Sequence, residues 1–271
     1  MNWALLVLFC RKELRDIRSN RRVWPGYLVL PGVGILLPLL VIFVLPVMLD
    51  PMQQVQDPGI RMLIETVRRD PSLAEGSMVE RMARLFLRDL GLWYLLMPVI
   101  LASGPAALAI VREKEQRTLE PILATPLSDR GFVLSKLIGA LGPAILWTWI
   151  SAIAGYAITA VVTAIRLGVV IGPTAGNLVA IVLLAPALAA AASLGAIAAS
   201  ARFTDSQSAN MFTGVVIVPI TLILLALVGR PAMVSAWMGL AGFALVALIC
   251  LALYGRAVRR LRREELLTSW R

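Results

Sequence analysis

Six apolar runs divide this chain, each about the length that carries an α-helix across roughly 30 Å of hydrocarbon. They cover residues 27–49, 92–111, 137–165, 177–200, 211–228 and 237–254, and none contains Asp, Glu, Lys or Arg. Strands of a membrane barrel would alternate apolar and polar residues, and these runs do not. Internal prolines such as Pro31, Pro38, Pro98, Pro143, Pro186 and Pro219 suit such helices, because neighbouring helices and polar side chains satisfy the freed carbonyls. The pattern predicts an all-α, polytopic membrane protein with six transmembrane helices, forming one unit over residues 1–271.

Before the first run, residues 2–20 are too short and too charged to span. Trp3, Leu6, Val7, Cys10, Leu14 and Ile17 recur at helical spacing, with Lys12, Arg15, Asp16 and Ser19 off that stripe. This predicts an amphipathic helix lying in the interface; the same residues also read as a basic topology anchor. The 50–89 segment is the longest between runs. Met78, Met82, Leu85 and Phe86 share one helical side there, so a small helical cap over 71–90 is expected, the other reading being a solvated linker. Ala187, Ala191, Gly195 and Ala199 form a small-residue stripe in the fourth run, which permits close helix packing.

Composition agrees with this class: 59% of residues are hydrophobic, and the mean hydropathy is +0.83. The net charge of +10 would suit a nucleic-acid binder. However, the basic residues sit at the ends of apolar runs, where they meet lipid headgroups, so membrane lipid is expected as a partner and nucleic acid is not. They comprise 23 Arg and 3 Lys, a bias expected from GC-rich coding more than from function. With both termini cytoplasmic, the inner segments hold 18 Lys and Arg against 8 outside, so the positive-inside rule predicts that orientation. A multi-pass protein of a cell membrane, expected to be a bacterial inner membrane, follows. The basic residues follow the apolar stretch 4–9 rather than precede it, the wrong polarity for a secretory signal.

Much chemistry is excluded. His is absent and the two Cys, Cys10 and Cys250, are far apart, so neither a Cys/His metal cluster nor a Cys-His pair is available. No G-x-x-x-x-G-K-[ST] occurs, so ATP phosphates have no cradle. The runs lack the mid-membrane ionisable group of ion-driven carriers. The chain is therefore expected not to be an enzyme and to bind no cofactor or metal itself; transport would draw its energy from another chain. Uncharged polar residues do occur within the runs: Ser103, Thr148, Ser151, Tyr156, Thr159, Thr163, Ser193, Thr213 and Thr221. They could line a translocation path or hydrogen-bond between helices.

The polar segment 112–136 stands apart. From Arg112 to Ser128 it reads Arg-Glu-Lys-Glu-Gln-Arg-Thr-Leu-Glu-Pro-Ile-Leu-Ala-Thr-Pro-Leu-Ser. Dense alternating charge and two proline steps exceed what a turn requires. Glu113, Glu115 and Glu120 could meet basic groups of a partner outside the bilayer, beside Arg117, while Leu119, Ile122 and Leu123 supply an apolar anchor. The other reading is a loop that meets only water and lipid.

This segment, with Lys136-Leu137 after it, resembles the signature loop of type-2 ABC transporter permeases, R-E-x-E-x-G-T-L-E-x-L-L-x-T-P-x-S. Arg117 stands where a Gly is usual, and Pro121 follows the Glu. Lys12-Glu13-Leu14, Asp205-Ser206-Gln207-Ser208-Ala209 and Arg263-Glu264-Glu265-Leu266-Leu267 are similar to further family pieces, so the resemblance covers most of the chain. It implies a half-transporter. Two permease subunits, identical or different, would pair around a path, and separate ABC ATP-binding subunits carrying ATP and Mg would dock on the 113–128 coupling loop. Members are mostly exporters. The competing function is a non-transporting membrane anchor or scaffold for a cytoplasmic partner. The uncharged spans favour lipid-like, amphipathic or drug-like cargo over a small ion.

Overall fold

The computed structural model describes residues 3–19, 21, 23–52, 64–65, 67–68, 78–88, 90–200, 202–203, 205–227 and 236–260. Its helices are α1 (Trp3–Ser19), α2 (Trp24–Met52), α3 (Met78–Arg88), α4 (Leu90–Ala107), α5 (Val111–Glu115), α6 (Leu119–Leu123), α7 (Asp129–Leu167), α8 (Ala175–Ser200), α9 (Ser206–Leu227) and α10 (Ala236–Arg260). Among the described residues there is no strand. Six helices, α2, α4, α7, α8, α9 and α10, are long and apolar enough to cross a membrane, matching the six runs. Arg22, Val228, Arg230, most of 53–77 and the 263–267 tail piece lie outside the described residues.

Helix ends extend beyond the apolar runs where capping permits. α7 starts eight residues before position 137, because Ser128 Oγ accepts the Gly131 N–H at 3.2 Å and Phe132 and Val133 are buried. It stops at Gly168, whose φ of 64° is a left-handed cap that costs glycine little. The 71–90 expectation is met over α3, which packs on α2 and buries Met82 and Leu85.

α4 is the enclosed centre, packed by α7, α8 and α9; α2 lies along α7, and α10 along α8. Large apolar side chains such as Leu36, Ile153, Leu222 and Leu251 point outwards, as lipid-facing residues do. Between helices in hydrocarbon, cohesion comes from close packing and polar links rather than from water exclusion. Both devices centre on α4. Pro38 withholds the N–H that Gly34 O would accept, and the Tyr94 hydroxyl donates to that oxygen at 3.0 Å, lying also 3.2 Å from Ser151 O. Pro105 likewise frees Leu101 O, which accepts the Tyr27 hydroxyl at 3.2 Å. In α8, residues 180–184 form a π segment. There the i→i−5 partner of Ile181 O would be the N–H that Pro186 lacks, and Trp149 Nε1 donates to that oxygen instead, at 3.3 Å. Space for these links requires glycine: a Cβ on Gly155 would sit 2.1 Å from Tyr94 Oη, and one on Gly34 would sit 2.7 Å from Ser151 Oγ.

The first helix forms as expected, but its stripe faces differently. Trp3, Val7 and Leu14 are exposed, while Leu6 is buried and Phe9, Glu13 and Ile17 lie towards the bundle. Contact with α7 is close enough that a Cβ on Gly139 would be 2.5 Å from Glu13 Cβ. A carboxylate thus shares the bundle face of α1 with Leu6, Phe9 and Ile17, while Trp3, Val7 and Leu14 of the apolar stripe stay exposed.

Candidate functional site

The 112–128 segment folds as two short helices joined by a tight turn. α5 ends at Glu115, and Arg117 N–H bonds Lys114 O at 3.0 Å while Thr118 N–H bonds Glu113 O at 2.9 Å. That is the paired closure of a Schellman cap, whose left-handed position usually holds Gly. Here it is Arg117, with φ of 55°, which accounts for the Gly in the family pattern. Pro121 is the third residue of α6, where an N–H would have no intrahelical partner anyway. Since a left-handed non-glycine residue costs about 1–2 kcal/mol, Arg117→Gly is expected to stabilise the turn by about 1 kcal/mol, offset by glycine's greater unfolded freedom. Hydrogen-exchange protection at the Thr118 amide should rise correspondingly.

Inside this turn lies an ionic junction. Lys12 Nζ of α1 donates to Glu113 Oε1 at 2.7 Å, and Lys136 Nζ of α7 donates to Glu13 Oε1 at 2.8 Å and also to Glu113 Oε1. Lys12 further pairs with Glu13 at 3.3 Å and Asp16 at 3.6 Å. The side chains of Lys136 and Glu113 are only 2% and 5% exposed, so these ions are shielded from water and hold α1, α5 and α7 together. Burial alone would lower the Lys12 pKa, but Glu113, then Glu13 and Asp16, raise it above the ordinary lysine value; Lys12 is charged at neutral pH. Nearby, Lys114 Nζ donates to Phe203 O at 3.4 Å, and Ser200 Oγ accepts the Ile110 N–H at 3.2 Å. Glu115 accepts both the Ser206 N–H at 2.8 Å and its hydroxyl at 2.7 Å. The first turn of α9 is closed by Asp205, whose carboxyl is held below the usual range chiefly by the Ser208 N–H.

The expected docking residues therefore divide. Glu113 has its carboxylate turned inward to two lysines. Leu119 is 2% exposed, in a cluster with Ile110, Phe132 and Val133. Ile122 packs half-buried against that cluster. Glu115 is exposed but tied to Ser206, and Arg117 is exposed. Glu120 and Leu123 have their backbone in α6, and their side chains lie outside the described set. Gln116, Thr118, Pro121, Ala124 and Pro126 complete the outward edge.

The intramembrane hydroxyls bond mostly within their own helices. Ser103, Thr148, Thr159, Thr163, Thr213 and Thr221 each donate to the carbonyl four residues earlier in their own helix. Ser151 donates to Pro31 O at 2.9 Å across to α2. Tyr156 stacks at 5.7 Å from the Tyr94 ring, and Ser193 is fully buried. None of the nine lines the cavity of about 620 Å³ that opens beside the ionic junction.

Lys12, Lys114 and Lys136 escaped sequence reasoning as site residues. They are all the lysines of the chain, and their scarcity among 23 arginines was the available signal. The signature loop is thus met in space by two other family-like pieces, Lys12-Glu13 through Glu113 and Lys136, and Asp205-Ser206 through Glu115. No curated protein matches the chain. The family model of the ABC-2 family transporter protein matches residues 8–239, taking in most of α1, and the loop and five of the six spans in full, and the chain belongs to that family.

Proposed function

We propose that this multi-pass membrane protein is the permease subunit of an ATP-driven exporter in a bacterial inner membrane. Both termini would be cytoplasmic, a second permease subunit would share the path, and ABC ATP-binding subunits with ATP and Mg would dock on the 113–128 loop. One observation carries this reading. The loop presents an exposed outer edge (Gln116, Arg117, Thr118, Pro121, Ala124 and Pro126) while its inner side is bonded to α1, α7 and the start of α9. A force on that edge reaches three helices through hydrogen-bonded ions instead of dissipating in a slack turn. ATP-driven closure of the motor would bias the bundle between two arrangements through differential contacts in each.

Charge reversal at the edge tests it. Arg117→Glu should leave membrane insertion intact yet lower recovery of the ATPase on co-purification about tenfold, equivalent to about 1.4 kcal/mol. Arg117→Gly is the matched control for backbone strain. Undiminished co-purification of the Glu variant would remove the loop from the interface. ATP-dependent flux in vesicles separates a transporter from an anchor that merely recruits.

A further inference from the structure

The cavity beside the ionic junction has a chemistry that transport coupling does not use. It lies between α1, the adjoining ends of α2 and α4, α5 and the start of α9, and its volume of about 620 Å³ falls in the range of small-molecule sites. Part of the lining is charged, with Lys12, Lys136 and Arg112 beside Glu13, Asp16, Glu113 and Glu115, an excess of one negative charge. The lining also includes the apolar side chains of Val23, Leu30, Ile100, Leu101 and Leu108. Glu113 joins the two features. Its Oε1 accepts from both lysines, but its Oε2, buried in a side chain only 5% exposed, has no hydrogen-bond partner among the described residues. A buried carboxylate oxygen left without a donor is costly.

We propose that this cavity binds a protonated primary amine carried on an apolar tail, the ammonium donating to Glu113 Oε2 and the tail lying along the α2 and α4 walls. The atom awaiting a partner is an acceptor and the surplus charge is negative, so an anionic headgroup is disfavoured. A quaternary ammonium has the charge without the N–H and satisfies only half of the site. An aminophospholipid headgroup and a free amphiphilic amine share this chemistry.

The test is direct binding of labelled dodecylamine to the purified chain in phosphatidylglycerol nanodiscs. One saturable site per chain is expected, with dodecyltrimethylammonium competing at least about tenfold more weakly. Glu113→Gln should weaken binding by at least about tenfold. Because that change also touches the junction, Gly104→Leu is the second variant: Gly104 lines the cavity, and a Cβ there meets nothing within 4 Å, so it fills the space while leaving every ion in place. It should weaken binding to the same extent. Two lipid arms then name the source. Competition by phosphatidylethanolamine, but not by phosphatidylcholine, supports a lipid occupant, and competition by neither supports a free amphiphile. Unchanged binding in Gly104→Leu, equal competition by the quaternary analogue, or uptake no greater than in empty nanodiscs overturns the site. No ATPase enters the measurement, so its failure leaves the transport reading standing.

Discussion

Lys136→Met is expected to destabilise the protein by about 3–5 kcal/mol, the usual cost of removing one member of a buried ionic cluster. Two shielded carboxylates, Glu113 and Glu13, would be left to Lys12, which is 38% exposed. Thermal unfolding in detergent should show this as a drop of roughly 6–20 °C. The informative experiment is the double variant. Adding Glu113→Gln removes the stranded charge, so Lys136→Met/Glu113→Gln should be more stable than Lys136→Met alone. This is a coupling that independent sites do not show. Strict additivity would mean that the two ions do not share one environment.

The second large effect belongs to Gly155. Gly155→Ala places a methyl 2.1 Å from the Tyr94 oxygen, which bonds Gly34 O and lies against Ser151 O in a fully buried site. Either α7 shifts from α4, or the hydroxyl swings away and leaves the carbonyl freed by Pro38 bare. Overpacking and an unmet buried acceptor together cost about 2–5 kcal/mol. Tyr94→Phe in the alanine background should restore part of the loss by deleting the obstructing atom. Gly195→Ala, where a Cβ meets nothing within 4 Å, should be nearly silent in the same assay.

These predictions mark where sequence reasoning reached and where it stopped. The six spans are legible because a charge-free run of about 20 residues has few alternatives in a folded chain. Their ends are less so, since α7 gains its first turns from a Ser128 cap and the burial of Phe132 and Val133, neither of which is an apolar-run signal. The loop illustrates the deeper limit. Alternating charge predicts a solvated or docking face, yet Glu113 is matched by lysines 101 and 23 residues away, and no local periodicity reports a partner at that distance. Thr148, Thr159 and Thr163 show the converse. A hydroxyl in a span reads as path lining or, more often, as glue between helices, and its bond to the carbonyl one turn back depends on rotamers that composition does not encode. The left-handed turn was not read from the sequence, where Arg117 stood only as a departure from the family's Gly; its φ of 55° shows that the turn keeps the left-handed position without glycine.

The ionic junction also makes two of the three lysines nearly inert to amine acylation in the resting protein. Lys136 is shut away, and Lys12 is kept protonated by its carboxylate neighbours. Any conformer that parts α1 from α7 would hand Lys136 to an acetylating reagent. A mass tag at that one position would then time-stamp the opening of the joint, with no engineered label and no background from the 23 arginines.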